Sequence, residues 1–143
     1  MTGTYVTALS VLILKVIFML ALPLMFNSGL SPEQIGVGRS ILIVDDSKLQ
    51  RKILTSLVKR WGFEVREAES GEQALKMCTF DQPDIVLSDW MMPGMNGLEF
   101  CHLFRNLAND EYGYFILLTS KGEKDEVFLV SDIATHGCSG AVN

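Results

Sequence analysis

The chain has no C-x-x-C pair, and its three cysteines, Cys78, Cys101 and Cys138, are odd in number and far apart. That excludes a cysteine zinc site and a disulfide framework, and leaves buried free thiols in a reducing cytosol as the plain reading. No basic stripe stands out, and the formal net charge is −5. Direct binding of nucleic acid through this chain is therefore not expected. Histidine is scarce as well. His102 and His136 are the two present; His102 lacks the helical-bundle setting that a phosphotransfer histidine needs, and His136, in the tail, is given no role. Lysine is absent after Lys124.

The N-terminus lacks the marks of a secretory signal: no Lys or Arg precedes its apolar run, and no A-x-A-like cleavage site follows it. The run itself, Val6 to Phe26, is 21 residues long with one charge, Lys15. That length spans a bilayer's hydrocarbon. Lys15 would cost about 2.5–3.5 kcal/mol at the bilayer centre. Three readings stand: a membrane anchor, a stretch translated from a misplaced start, or an apolar helix packed on a soluble protein. As an anchor, it would leave the C-terminal part in the cytoplasm, because Arg39 and the other basic residues follow it.

With 143 residues and 48% apolar content, the chain has the size of one domain with a packed core. Asn27 to Arg39 holds four Gly or Pro residues and reads as a linker. Residues 1–39 thus form an apolar segment and linker, and 40–143 the globular part. From Ser40 strands and helices alternate. Ser40–Val44, Asp84–Ser88 and Tyr114–Leu118 are apolar strands, and Phe63–Glu67 alternates like a strand nearer an edge. Helical spacing marks Ser47–Arg60 (through Leu49, Ile53, Leu54, Leu57 and Val58), Ser70–Phe80, Gly97–Leu107 (through Leu98, Cys101, Leu103 and Phe104) and Lys124–Ala134. The β-α-β-α-β-α-β-α order predicts an α/β fold, a doubly wound parallel sheet covered on both faces. In such sheets the functional crevice lies at the carboxyl ends of the strands.

That is where the polar residues fall. Asp45-Asp46 follows the first apolar strand, Asp89 the third, and Thr119-Ser120 the fourth. Each piece alone is a common cap or turn. Together, three carboxylates can hold Mg²⁺ through oxygen ligands and waters. A carboxylate whose repulsion is lowered by cations can act as nucleophile toward a phosphoryl group. A hydroxyl on the neighbouring strand end can hydrogen-bond phosphoryl oxygens.

Ile41-Leu-Ile-Val-Asp-Asp46, Asp89-Trp-Met-Met-Pro-Gly-Met-Asn-Gly97 and Leu117-Leu-Thr-Ser120 resemble the receiver domain of bacterial two-component response regulators, the chemotaxis regulators included. The separations also fit: 43 residues from Asp46 to Asp89 and 30 from Asp89 to Thr119. The likeness covers roughly residues 40–130 and implies a flavodoxin-like fold. It makes Asp89 the phosphoacceptor and Asp46 a direct Mg²⁺ ligand, with Asp45 assisting and Met91 giving its backbone carbonyl. Thr119 would bind the phosphoryl group and switch. Pro93 and Gly97 would shape the loop. The implied partner is a sensor histidine kinase or phosphotransfer protein; pairing with a second copy is a further option. The implied activity is that of a switch, not of a turnover enzyme. A metal-dependent phosphohydrolase with an aspartate nucleophile would begin an Asp-x-Asp motif at a strand end, and no such motif is there.

The C-terminal stretch departs from the family. The lysine of the fifth strand would stand 22 residues past Thr119, where the chain has Ala141. Thr135–Asn143 is small, polar and glycine-rich, with at most a poor strand over Cys138–Val142. The sheet is expected to be incomplete at its fifth strand and fifth helix. Its last edge would be open and its stability marginal. The likeness stops abruptly, which points to a frameshift, truncation or gene fragment; a naturally degenerate receiver is the other reading. Slow phosphorylation of Asp89 is expected, and a pseudo-receiver that only binds protein is the alternative function.

Overall fold

The computed structural model describes residues 32–107, 113–119 and 126–129, with the backbone alone at Pro32, Thr119 and 126–129. Five strands form one sheet: β1 (Ser40–Val44), β2 (Glu64–Ala68), β3 (Ile85–Asp89), β4 (Tyr114–Thr119) and β5 (Glu126–Leu129). Three α-helices connect the first four: α1 (Lys48–Lys59), α2 (Gly71–Phe80) and α3 (Gly97–Leu107). The strand order is β2-β1-β3-β4-β5. β1 through β4 pair in parallel, so the expected doubly wound parallel sheet is present over these four strands. The order reverses direction at β1 and β3, the switch point where such folds place their ligands.

Side chains alternate across the strands and build two cores. On one face Leu42, Val44, Val86, Phe115 and Leu117 meet α2 and α3 through Ala74, Cys78, Phe100, Cys101 and Phe104. Phe100, Phe104 and Phe115 form a triad with centroid separations of 5.3–6.1 Å and tilted planes, a favoured aromatic arrangement. On the other face Ile41, Ile43, Ile85 and Leu87 meet Leu54 and Val58 of α1.

Local chemistry sets the helix ends. The Ser47 hydroxyl accepts from the Gln50 N–H at 3.4 Å, and that of Ser70 accepts from the Gln73 N–H at 3.1 Å. Asn96 and Glu99 cap α3 reciprocally, each side chain accepting the other's N–H at 2.9 Å. Gly62 ends the first helical unit at φ +85°, a conformation that excludes most side chains.

Four expectations need correction. Residues 126–129 are not helical. They form β5, antiparallel to β4 with Thr119 opposite Glu126 and Ile116 opposite Leu129. The short run Val127-Phe128-Leu129 fits either period, and the unpaired ladder of β4 favours the strand. The β4 edge is therefore paired rather than open. Second, the linker contributes to the fold before Ser40. Pro32–Gln34 forms a 3-10 turn, Ile35 is buried in the α1 core, and the Gly36 N–H donates to the Trp61 carbonyl at 2.7 Å. Third, Leu49 is 66% exposed and Leu103 39% exposed. Each lies on the rim of its helix stripe; the buried positions are Leu54 and Val58 in α1 and Phe100, Cys101 and Phe104 in α3. Fourth, Phe100, fully buried, belongs in the core and was not among the expected α3 positions.

Cys78 and Cys101 are buried, as expected, and His102 is exposed. Among the described residues no helix is long and apolar enough to cross a membrane. Val6–Phe26, Ser120, Cys138–Val142 and Ala141 lie outside the described residues.

Candidate phosphoacceptor site

The site is built by register. Val44 of β1 pairs with Ser88 of β3, so the next residues, Asp45 and Asp89, emerge side by side at the carboxyl ends of adjacent strands. Asp46 follows on the loop to α1. One carboxylate oxygen from each of Asp45, Asp46 and Asp89 lies within 4.8 Å of the others. The structure thus brings together the three carboxylates singled out in the sequence.

Their surroundings differ. Asp45 is buried, Asp89 half-buried and Asp46 exposed. Asp45 is tied down on both sides: its Oδ1 accepts the Ser47 N–H at 2.8 Å, and its carbonyl accepts from the Arg51 guanidinium at 2.6 Å. Burial pushes its carboxyl up to about 7, and the facing Asp89 and Asp46 carboxylates push the same way against the Ser47 N–H and Arg51. Asp89 is pushed up to about 6, by burial first and then by Asp46, against hydrogen bonds from the Met91 and Trp90 N–H groups. One buried and one half-buried carboxyl raised together mark a place where negative charge is concentrated. Three carboxylate oxygens at this spacing fit a divalent cation.

The loop after Asp89 is closed at its base. The Gly97 N–H donates to the Trp90 carbonyl at 2.8 Å and the Trp90 N–H to the Leu118 carbonyl at 2.9 Å. Gly97 is buried, and a Cβ there would lie 2.3 Å from the Asp89 carbonyl, so only glycine fits. Pro93 is exposed and Met92 buried. Met91, 47% exposed, has its backbone beside Asp89. Thr119 is the last residue of β4, one past Leu118, the register partner of Asp89.

The response regulator receiver domain family matches residues 41–140. The chain belongs to that family. The match continues past residue 130, near which the motif likeness fades. The receiver is similar to the phosphate regulon transcriptional regulatory protein PhoB of Pseudomonas aeruginosa, 41% identical over 62% of this chain and 39% of that protein. It is also similar to the sporulation initiation phosphotransferase F of Bacillus subtilis, 37% identical over 64% of this chain and 72% of that one. The chain thus spans about two fifths of the length of the transcriptional regulator. Among solved structures, the receiver domain of the histidine kinase CKI1 from Arabidopsis thaliana, complexed with Mg²⁺, matches with a TM-score of 0.50 and 29% identity over 52% of this chain and 61% of that one. Receiver domains are signalling modules of two-component systems.

Sequence reasoning missed three contributors. Arg51 reads as one more cation on the polar face of α1, although its spacing from Asp45 lets it fold back over the first turn. Gly94 adopts φ +74°, which a Pro-Gly pair signals as a turn. Glu72 lies on another helix and touches the loop through space, and no local pattern marks that contact.

Proposed function

We propose that this receiver accepts a phosphoryl group on Asp89 from a phosphohistidine of a sensor histidine kinase or phosphotransfer protein. The observation that carries the reading is the convergence of three carboxylates, two with raised affinity for protons, at the switch point of the sheet. In the transfer an Asp89 carboxylate oxygen forms a bond to phosphorus. The bond from phosphorus to the histidine nitrogen breaks, and its electron pair stays on the imidazole. Asp45, Asp46, Asp89 and the Met91 carbonyl would hold Mg²⁺, which neutralises charge on the phosphoryl oxygens. Thr119 would hydrogen-bond the phosphoryl group, and Pro93 and Gly97 would keep the loop in shape. The module acts in the cytoplasm as a switch, and the reaction is stoichiometric.

A second reading has its own support. The position 22 residues past Thr119 is Ala141 rather than lysine; the family resemblance calls for a cation at that position, and its replacement favours a protein-binding module that does not cycle phosphate. Incubation with Mg²⁺ and acetyl phosphate separates the two. Acid-stable, base-labile label on the wild type, lost in Asp89→Asn, is the expected result, at a slow rate. Equal labelling of both proteins would sink the assignment of Asp89. No label on either would favour the second reading.

A further inference from the structure

Glu72 stands on the first turn of α2, outside the acidic cluster, and its carboxylate is committed to the loop that follows Asp89. Its Oε1 accepts the Met95 N–H at 2.9 Å. The surrounding backbone is shaped to this contact. Gly94 takes φ +74°, and a Cβ there would lie 2.8 Å from the same Oε1. A Cβ on Gly71, next to Glu72, would sit 3.0 Å from the Met95 side chain. Two glycines and one carboxylate thus seat the far half of the loop on the start of α2. Hydrogen bonds from its own N–H and from Met95 hold the Glu72 carboxyl below the usual range, so it is an ionised acceptor at neutral pH.

The loop's near half is anchored differently. Met92 is buried in the core of the α2 and α3 face, and the Gly97 N–H closes the base onto Trp90. Between these anchors runs the backbone that bonds Asp89. The far half, from Gly94 to Asn96, is exposed or half-buried; Met95 packs on the rim of the same core, Asn96 is bonded to Glu99, and the Met95 N–H ties this half to α2.

We propose that Glu72 is a positioning residue for the metal-holding site: through the Met95 N–H it fixes the loop between β3 and α3 and so keeps the Met91 backbone in place beside Asp89. The inference rests on the phosphoacceptor reading, since it concerns the same loop. Glu72 touches neither the metal nor the phosphoryl group. Water replaces its hydrogen bond once the side chain is shortened, because the contact is at the surface. The fold then loses little, while the loop samples arrangements in which Met91 has moved. Supporting residues of this kind act on ligand affinity more than on stability.

The test is calorimetric titration of the full chain with MgCl₂, alongside urea unfolding. Glu72→Ala is expected to weaken Mg²⁺ binding about tenfold, the low end for a residue behind a metal ligand, with an unchanged unfolding midpoint. Glu72→Gln keeps an oxygen acceptor and should stay within about twofold of the wild type. Gly94→Ala strains the same contact from the loop side and should weaken binding as Glu72→Ala does. Wild-type affinity in Glu72→Ala overturns the proposal, as does a Glu72→Gln variant that falls as far as alanine. Asp89→Asn separates the two layers. If it loses Mg²⁺ while Glu72→Ala does not, the parent reading stands and the positioning role falls. If the wild type shows no Mg²⁺ binding, or Asp89→Asn binds equally, both fall.

Discussion

Stripped of divalent metal, the domain should lose stability as the pH rises. The carboxyls of Asp45 and Asp89 stand at about 7 and about 6 in the fold, against an ordinary 3.8. A carboxyl raised in the folded state binds its proton more tightly there than in the unfolded chain. Its contribution is fully present below the unfolded value and is lost as the pH climbs to the folded one. Between pH 5 and pH 7, Asp45 covers two units, about 2.7 kcal/mol at 1.36 kcal/mol per unit. Asp89 covers one unit between pH 5 and pH 6, about 1.4 kcal/mol. The two face each other and Asp89 is half-buried, so the pair should cost about 3 kcal/mol in all. That is a large share of the 5–15 kcal/mol typical of a domain. Urea unfolding followed by circular dichroism, at steps from pH 5 to pH 8 with a chelator, measures the slope. Excess Mg²⁺ should flatten it by binding the ionised site of the folded state alone. Asp45→Asn should remove most of the slope above pH 6. A metal-free profile that is flat or rises with pH would refute the reasoning, and so would a slope above pH 6 that survives in Asp45→Asn.

Two further outcomes follow from packing. Phe104→Ala removes one member of the Phe100, Phe104 and Phe115 triad and should cost about 3–5 kcal/mol, read as a lower urea midpoint at unchanged slope. Gly97→Ala places a methyl against the Asp89 carbonyl; the backbone must shift, and the expected loss is about 2 kcal/mol or more, with Mg²⁺ affinity falling alongside it.

Much of the fold was legible because pattern and topology agree. Ile41–Val44 and Ile85–Ser88 are continuous apolar runs, which suits strands buried on both faces, and both are buried throughout. The carboxylate cluster was legible for the same reason: residues just past two adjacent parallel strands must emerge together. What escaped depends on contacts distant in sequence. Leu49 matches the helical period yet points to solvent, because a stripe read from spacing alone is wider than the strip the sheet covers. Ile35 sits in a stretch of turn formers and is buried because the chain doubles back on Trp61. Residues 126–129 follow the partner available at the β4 edge. Glu72 meets Met95 across 23 residues of sequence, a distance over which composition carries no signal.

The antiparallel pairing of β5 also bears on the order in which the sheet assembles. Thr119 and Glu126 are register partners seven residues apart, whereas Ile41 and Ile85 are separated by 44. By loop-closure entropy the longer connection costs about 1.6 kcal/mol more to close. Hairpins of this span form in about 1–10 μs, while the parallel ladder must wait for its crossover. The β4–β5 pair is thus the most local piece of sheet among the described strands, and it can form before the other strands are in place. Its native contacts would then be made early on the folding path, and substitutions within it would show in the folding rate more than in the unfolding rate.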